Sequence, residues 1–216
     1  MNNLISEHID FHSHILPEID DGSENFQMSV SLLDSAKKNG ISKVMATPHF
    51  YPHRDNTEQF LALRNDSFNS LKPYAEKIGI EIACGAEILV YPGVEQMKDI
   101  EKLSTDGCYL LELPLSFSLI TSEHLDTVKN MKSYGQVILA HAHRYPAETV
   151  EELAENGILL QLNVSDICSF KGRKKAVEWY KKGYVYAVGS DVHHSPEIYR
   201  KFKKAISILT KEQNHD

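Results

Sequence analysis

Seven short apolar runs, separated by longer helix-like segments, constrain the fold more than any other feature of this sequence. They are HIDF (8–11), KVMAT (43–47), IEIACGAEI (80–88), CYLLEL (108–113), QVILAH (136–141), ILLQLNV (158–164) and VYAVGSD (185–191). Strands alternating with helices predict an α/β chain with a parallel sheet. Parallel strands are covered on both faces, which accounts for runs that stay apolar instead of alternating. An open doubly wound sheet and a closed βα barrel both meet this pattern.

The segments between the runs carry helix signals. In ENFQMSVSLLDSAKKNG, Met28, Leu32, Leu33 and Ala36 share one face and Gly40 follows as a stop. TEQFLALRNDSFNSLKPYAEKIG is a second helix, which Pro73 is expected to kink or interrupt. SPEIYRKFKKAISIL is expected to start with Ser195 as N-cap and Pro196 in the first helical position. Further helices are expected in SEHLDTVKNMKSYG, AETVEELAENG and GRKKAVEWYKKG, ending at Gly135, Gly157 and Gly183. There is no internal repeat or Pro/Ser-rich linker, so residues 1–216 are read as one domain.

Composition narrows the class. Hydrophobic residues make up 42% and the formal net charge is -7, which fits a globular protein with a real core and argues against a broad nucleic-acid-binding surface. No apolar run reaches the roughly eighteen residues of a membrane span, and the N-terminus has no secretory pattern, so a cytoplasmic protein without direct membrane insertion is expected. Three cysteines, Cys84, Cys108 and Cys168, are too few and too odd for a disulfide framework. They read as buried apolar residues, and the spacing in CSFKGR does not make a cysteine-dependent phosphatase loop.

The informative polar residues stand at the strand ends. His12 and His14 follow the first run, His49 the second, and Glu87 and Glu112 end the third and fourth. His141 ends the fifth, and Asp191 and His193 follow the seventh. In βα folds these C-terminal ends meet on one face, where sites are built. A cluster of imidazoles and carboxylates needs strong pKa shifts or cations to be stable. Mixed His/Asp/Glu donors suit Zn, Mn or Fe. With about three protein ligands per catalytic zinc-type site, the set implies more than one ion. Any one of these motifs is weak alone; together they are hard to explain as accident. His8, His53, His124 and His215 lack the placement and read as surface or loop residues, with His143 and His194 in between.

DFHSHILPEIDDG, ATPHF, GAE, AHAHRY and GSDVHH, in this order, resemble the PHP (polymerase and histidinol phosphatase) superfamily. More closely, they resemble its manganese-dependent bacterial protein tyrosine phosphatases, which regulate capsule and exopolysaccharide synthesis. The resemblance implies a distorted (β/α)7 barrel with a metal centre of two or three ions, manganese first, iron or zinc as alternatives. It implies that His12, His14 and Asp191 hold one ion, that Glu87 bridges to a second held by Glu112 and His141, and that Asp21 (or Asp20), His49 and His193 hold a third. Arg144 matches an arginine that binds the substrate phosphate, and a planar guanidinium suits that role. His193 is also a candidate to assist the leaving group. Two departures stand out: relatives read H-x-E-R-Y where this chain has HAHRY, and an Arg-Pro-Pro is replaced by HHSPEIYRKFKK, leaving Arg200 as a candidate second phosphate contact.

The implied reaction is hydrolysis of phosphotyrosine by a metal-activated hydroxide, on the tail of a membrane-associated tyrosine kinase. Rivals are a histidinol-phosphate or other small-molecule phosphatase on the same centre, and a non-catalytic metal-binding scaffold.

Overall fold

The computed structural model describes residues 4–105 and 107–211, so His215 lies outside the described residues. Every paired strand in it is parallel, as the apolar runs predict. The strands are β1 (Ile9–Ser13), β2 (Lys43–Ala46), β3 (His49–Phe50), β4 (Glu81–Cys84), β5 (Glu87–Leu89), β6 (Cys108–Glu112), β7 (Gln136–Leu139), β8 (Leu159–Asn163) and β9 (Val185–Gly189). They form a three-stranded sheet, β1-β2-β4, and a six-stranded sheet, β3-β5-β6-β7-β8-β9.

One of the seven predicted strands is therefore broken, and another is followed by a strand that its run did not include. The second run gives β2, with β3 added beyond Pro48, and the third gives β4 and β5. Pro48 supplies the first break, because it has no N–H for a ladder. Gly85 marks the second, where a Cβ would lie 1.6 Å from Thr105 Oγ1. The breaks match in register: β2 pairs with β4 and β3 with β5, so both strands pass together from one sheet to the other. The sheets approach again on their far sides, where Leu4 N donates to Tyr186 O (2.8 Å), Asp191 N to His12 O (2.8 Å) and His14 N to Val192 O (2.9 Å).

Among the described residues seven α-helices accompany the strands: α1 (Phe26–Lys38), α2 (Thr57–Ile78), α3 (Ser122–Asn130), α4 (Ala147–Glu155), α5 (Val164–Ile167), α6 (Phe170–Lys181) and α7 (Phe202–Lys211). Asn25 and Asn56 cap α1 and α2 by accepting from Met28 N and Gln59 N, both at 3.0 Å. The apolar face of α1 is buried, and Leu32 and Leu33 contribute roughly 1.5–3 kcal/mol each to the core. Pro73 does not interrupt α2, which runs on to Ile78. Pro73 and Asn69, whose carbonyl loses its partner to the proline, are both on the exposed face of the helix. The predicted final helix begins as a 3-10 segment over Pro196–Lys201, where Ser195 makes no side-chain cap bond, and becomes α-helical only at Phe202.

The helices and outer strand faces share one apolar core. A second, smaller cluster is made by strands alone, with Phe11, Met45, Leu110, Ile138 and Ala187 meeting away from the helices. The fold thus gives every parallel strand an apolar body and directs the C-terminal ends to one side.

Candidate metal centre

Local strand geometry places the polar side chains. His12 and His14 are two apart on β1 and its continuation, so both point to the same face. His49 opens β3 and stands opposite Glu87 of β5, while Leu89 stands opposite Glu112 at the end of β6. His141 and Asp191 lie just past β7 and β9, with left-handed backbone (φ 32° and 53°). Such conformations cost energy and concentrate at functional sites. Gly189 beneath them is obligatory, since a Cβ would sit 2.5 Å from His12 Cβ.

Glu87 is the centre of the cluster and is fully buried. Its Oε2 lies 3.1 Å from His12 Nε2, 3.3 Å from His14 Nε2 and 3.2 Å from His49 Nδ1, and its Oε1 lies 2.8 Å from His141 Nε2. Glu112 Oε1 is 3.1 Å from His141 Nε2, and its Oε2 is 3.8 Å from His49 Nδ1. Asp191 Oδ1 lies 3.6 Å from His12 Nε2 and 3.5 Å from His14 Nε2. On the outer side, Asp21 Oδ1 is 3.6 Å from His49 Nε2 and 3.5 Å from His193 Nε2. All nine sequence-predicted donors therefore converge. Three groups have ligand atoms within 4.8 Å of one another: His14, Asp21, His49 and His193; His12, His14 and Glu87; and His49, Glu87 and Glu112.

Charge and hydrogen bonding fit a cation here. The His49 Nδ1 atom is buried and has no hydrogen-bond partner, although it faces the Glu87 and Glu112 carboxylates. Burial opposes ionisation of Glu87, but the imidazoles of His12, His14 and His141 hold its carboxyl well below the usual range. Burial likewise opposes charge on Asp191, and His12 and His14 bring it well below the ordinary carboxylate value. Burial alone would lower His14, but hydrogen bonds to Asp191, Asp20 and Glu87 raise it well above its usual value. His141, buried but hydrogen-bonded to Glu112 and Glu87, rises to about 9. The carboxylates thus demand positive charge, which metal ions supply in place of protons. His193 goes the other way: burial and the nearby His14 push it down, favouring the neutral imidazole that ligates metals.

The structure separates Asp20 from Asp21. Asp20 Oδ2 accepts from His14 Nδ1 (2.7 Å) and His49 N (3.0 Å), and its Oδ1 accepts from Gly22 N (3.0 Å). Burial would raise it, yet His14 brings it down to about 2. It is an orienting carboxylate that leaves His14 Nε2 directed inward. Asp21 is exposed and faces His49 and His193.

Several supporting residues went unrecognised in the sequence. Gln161 Oε1 accepts from His141 N (2.7 Å) and lies 3.1 Å from His12 Nδ1. Gln161 Nε2 donates to Asn163 Oδ1 (2.9 Å), and Asn163 Nδ2 donates to Asp191 Oδ2 (2.8 Å). One signal was available: a Gln and an Asn inside the apolar run ILLQLNV must find buried partners.

Arg144 ends a 3-10 turn over Ala142–Arg144 and reaches Asp191 Oδ2 with its Nη2 (2.5 Å). It is partly exposed and borders two clefts, one of about 410 Å³ shared with Asn163, Asp166 and His194 and one of about 450 Å³. The second cleft has Asp21, Glu112 and His193 on its polar side and Tyr51, Leu89, Pro114, Leu115 and Leu119 as an apolar wall. Arg200 is not brought into the site. It is exposed on the 3-10 segment before α7 and pairs with Glu197 three residues back (2.6 Å), the spacing of helical neighbours.

His143 pairs with Asp166 beside the Arg144 cleft. His8 contacts Gly40 O, His124 caps α3, and His53 lies against Tyr51 and Tyr91, all outside the cluster. None of the three cysteines forms a disulfide, and all lie apart from the cluster; burial pushes the Cys84 thiol up to about 11, an inert state.

Comparison with known proteins agrees with this architecture. Tyrosine-protein phosphatase CpsB of Streptococcus agalactiae is 28% identical over 207 residues, covering 86% of this chain and 83% of that protein. Tyrosine-protein phosphatase YwqE of Bacillus subtilis is 26% identical over 219 residues, covering 94% and 84%. A solved structure described with YwqE from Bacillus subtilis and CpsB from Streptococcus pneumoniae, unique metal-dependent tyrosine phosphatases, superposes with a TM-score of 0.80 at 24% identity, over 94% of this chain and 87% of that one. A putative histidinol phosphatase from Listeria monocytogenes shares the fold more distantly, with a TM-score of 0.57 at 12% identity, over 86% and 95%. The family model for capsular polysaccharide synthesis, CpsB/CapC, matches residues 8–216, and the chain belongs to that family.

Proposed function

We propose that this protein is a metal-dependent protein tyrosine phosphatase, acting in the cytoplasm on the phosphotyrosine-bearing tail of a tyrosine kinase that drives capsular or exopolysaccharide synthesis. The observation that carries this reading is the convergence of nine His, Asp and Glu donors beside one arginine at the C-terminal strand ends. The phosphatase names of its relatives and the capsular family support it.

In this reading His12, His14, Asp191 and Glu87 would hold one ion, and Glu112 and His141, with Glu87, would hold a second. Asp21, His49 and His193 would hold a third. Asp21 is preferred to Asp20 because Asp20 already orients His14 and His49. Manganese is the expected ion, with iron and zinc competing for the same donors. When bound, such ions would supply a water nucleophile at neutral pH and would neutralise charge on the phosphoryl oxygens.

The chain's own groups do the rest. Arg144 turns from Asp191 to grip the phosphate through two N–H groups, as a planar guanidinium does. Asn163 keeps hold of Asp191 Oδ2 when Arg144 leaves. His193 serves as a neutral ligand, since a phenolate leaves with little proton assistance. The apolar wall of the cleft, with Leu115 and Leu119 exposed at 67% and 61%, supports an aryl ester over a polar alkyl one.

A substrate panel tests the reading: phosphotyrosine peptide, p-nitrophenyl phosphate and histidinol phosphate, each with manganese and with chelator, alongside metal analysis of the purified protein. Metal-dependent turnover with a preference for the phosphotyrosine peptide is expected. Preference for histidinol phosphate would move the assignment to a small-molecule phosphatase. No metal-dependent turnover of any of the three would leave a binding scaffold.

A further inference from the structure

The charge of this chain is unevenly placed. Between residues 168 and 211 lie eleven of its 23 Lys and Arg but only three of its 30 Asp and Glu. This segment contains α6 and α7, and it is strongly basic within a chain of net charge -7.

The first turns of α6 concentrate that asymmetry. Phe170 opens the helix with 99% of its surface exposed, the most exposed large apolar side chain among the described residues. Lys171, Arg173 and Lys174 stand around it, exposed, and none makes an ion pair among the described residues. Lys175 and Lys182 are instead paired with Glu151 and with Glu178, the one carboxylate among the residues lining this flank. Lys201, at the end of the 3-10 segment, and Lys204 of α7 act together with Arg173 on the Cys168 thiol, so the basic surface continues from α6 onto the start of α7. A surface depression of about 900 Å³ runs along this flank. Apart from Cys168, all its lining comes from α6 itself, so no second element forms an opposing wall.

We propose that this flank of α6, with Phe170 at its tip and Lys171, Arg173 and Lys174 around it, docks the protein on an anionic lipid surface. A lone aromatic ring ringed by unpaired cations matches the layered chemistry of a bilayer interface, with apolar acyl chains beneath anionic headgroups. A one-sided helix flank suits a broad planar partner, whereas a bound peptide is ordinarily held between two walls. Phe170 also borders the cavity lined by His143, Tyr145 and Asp166, so docking here sets the rim of the Arg144 cleft close to the bilayer. This inference does not depend on the substrate assigned above.

Vesicle flotation with the full chain tests it. The wild-type protein is expected to float with phosphatidylcholine vesicles containing phosphatidylserine, not with phosphatidylcholine alone, and to be released as salt shortens the Debye length. Each cation near an anionic surface contributes about fivefold in binding. K171Q/R173Q/K174Q should therefore weaken binding on the order of a hundredfold, and Phe170→Ser several-fold at unchanged salt dependence. Both variants alter exposed residues, and their thermal melting and turnover of p-nitrophenyl phosphate should match wild type. Absence of wild-type binding at low salt, or equal binding by the triple variant, overturns the proposal. So does a surface that ignores vesicles but captures a glutamate-rich tyrosine peptide with the same sensitivity to the three substitutions.

Discussion

Asp10 and Glu87 are both carboxylates with no exposed surface, yet the protein treats them in opposite ways. Asp10 receives only neutral donors: Ser190 N (2.7 Å), Ser190 Oγ (2.6 Å), Tyr199 OH (2.9 Å) and, more distantly, His12 N (3.4 Å). Burial outweighs these bonds and raises its pKa to about 6. Glu87 is packed among four imidazoles, with its pKa held well below normal. The first carboxylate is satisfied by the polypeptide and ties the end of β9 to β1. The second gathers positive charge and has more than the polypeptide alone calls for. A buried acid is therefore evidence for a metal only when its neighbours leave it expecting a cation.

Substitutions at the two positions should separate stability from function. Glu87→Gln should lower phosphatase turnover by well over a hundredfold, beyond the loss expected from outer orienting groups, and reduce bound metal, with the metal-free protein melting close to wild type. Retained metal and activity would break the contrast. Asp10→Ala leaves buried donors of Ser190 and Tyr199 without an acceptor and should cost about 3 kcal/mol, or about 6–12 °C in Tm, by calorimetry of the chelated protein. The folded pKa of Asp10 lies above its unfolded value, so its contribution is complete below the unfolded pKa of 3.8 and fades as pH rises through about 6. The penalty of Asp10→Ala should therefore be largest near pH 4 and shrink by pH 7; a penalty that grows with pH would refute this account.

Arg144→Ala tests the boundary between the metal centre and its substrate. Turnover should fall about a hundredfold, as for loss of one transition-state donor, while metal content stays at the wild-type level. Loss of metal would mean that Arg144 holds the centre together. Gln161→Leu is the mildest test, expected to weaken metal affinity by roughly tenfold in a competition titration with a chelating dye, because His12 and His141 lose their common partner.

Much of this arrangement was legible in the sequence, for identifiable reasons. Apolar runs of strand length separated by helix signals specify parallel strands, and such strands place their following residues on one side, so His12, His49, Glu112, His141 and Asp191 announced their meeting in advance. What escaped were features fixed by long-range contact. The paired breaks at Pro48 and Gly85 depend on the register of β2 with β4 and on the position of Thr105. Pro73 is tolerated because its side of α2 faces solvent, which periodicity alone did not decide. Asp20 and Asp21 are equivalent in composition and differ only in which way each turns. Arg200 is basic and well placed in sequence, but the 3-10 turn carries it toward Glu197.

One carboxylate has a consequence that reaches across the site. Asp191 divides its oxygens, Oδ2 serving Arg144 and Asn163 while Oδ1 faces His12 and His14. In the proposed reading, a phosphate that draws Arg144 away would free the negative charge at Asp191 for a cation at Oδ1. Substrate would then tighten the ion, and by thermodynamic reciprocity the ion would tighten the substrate to the same degree. A single side chain would couple the two occupants, so metal loading would be firmest in the presence of substrate.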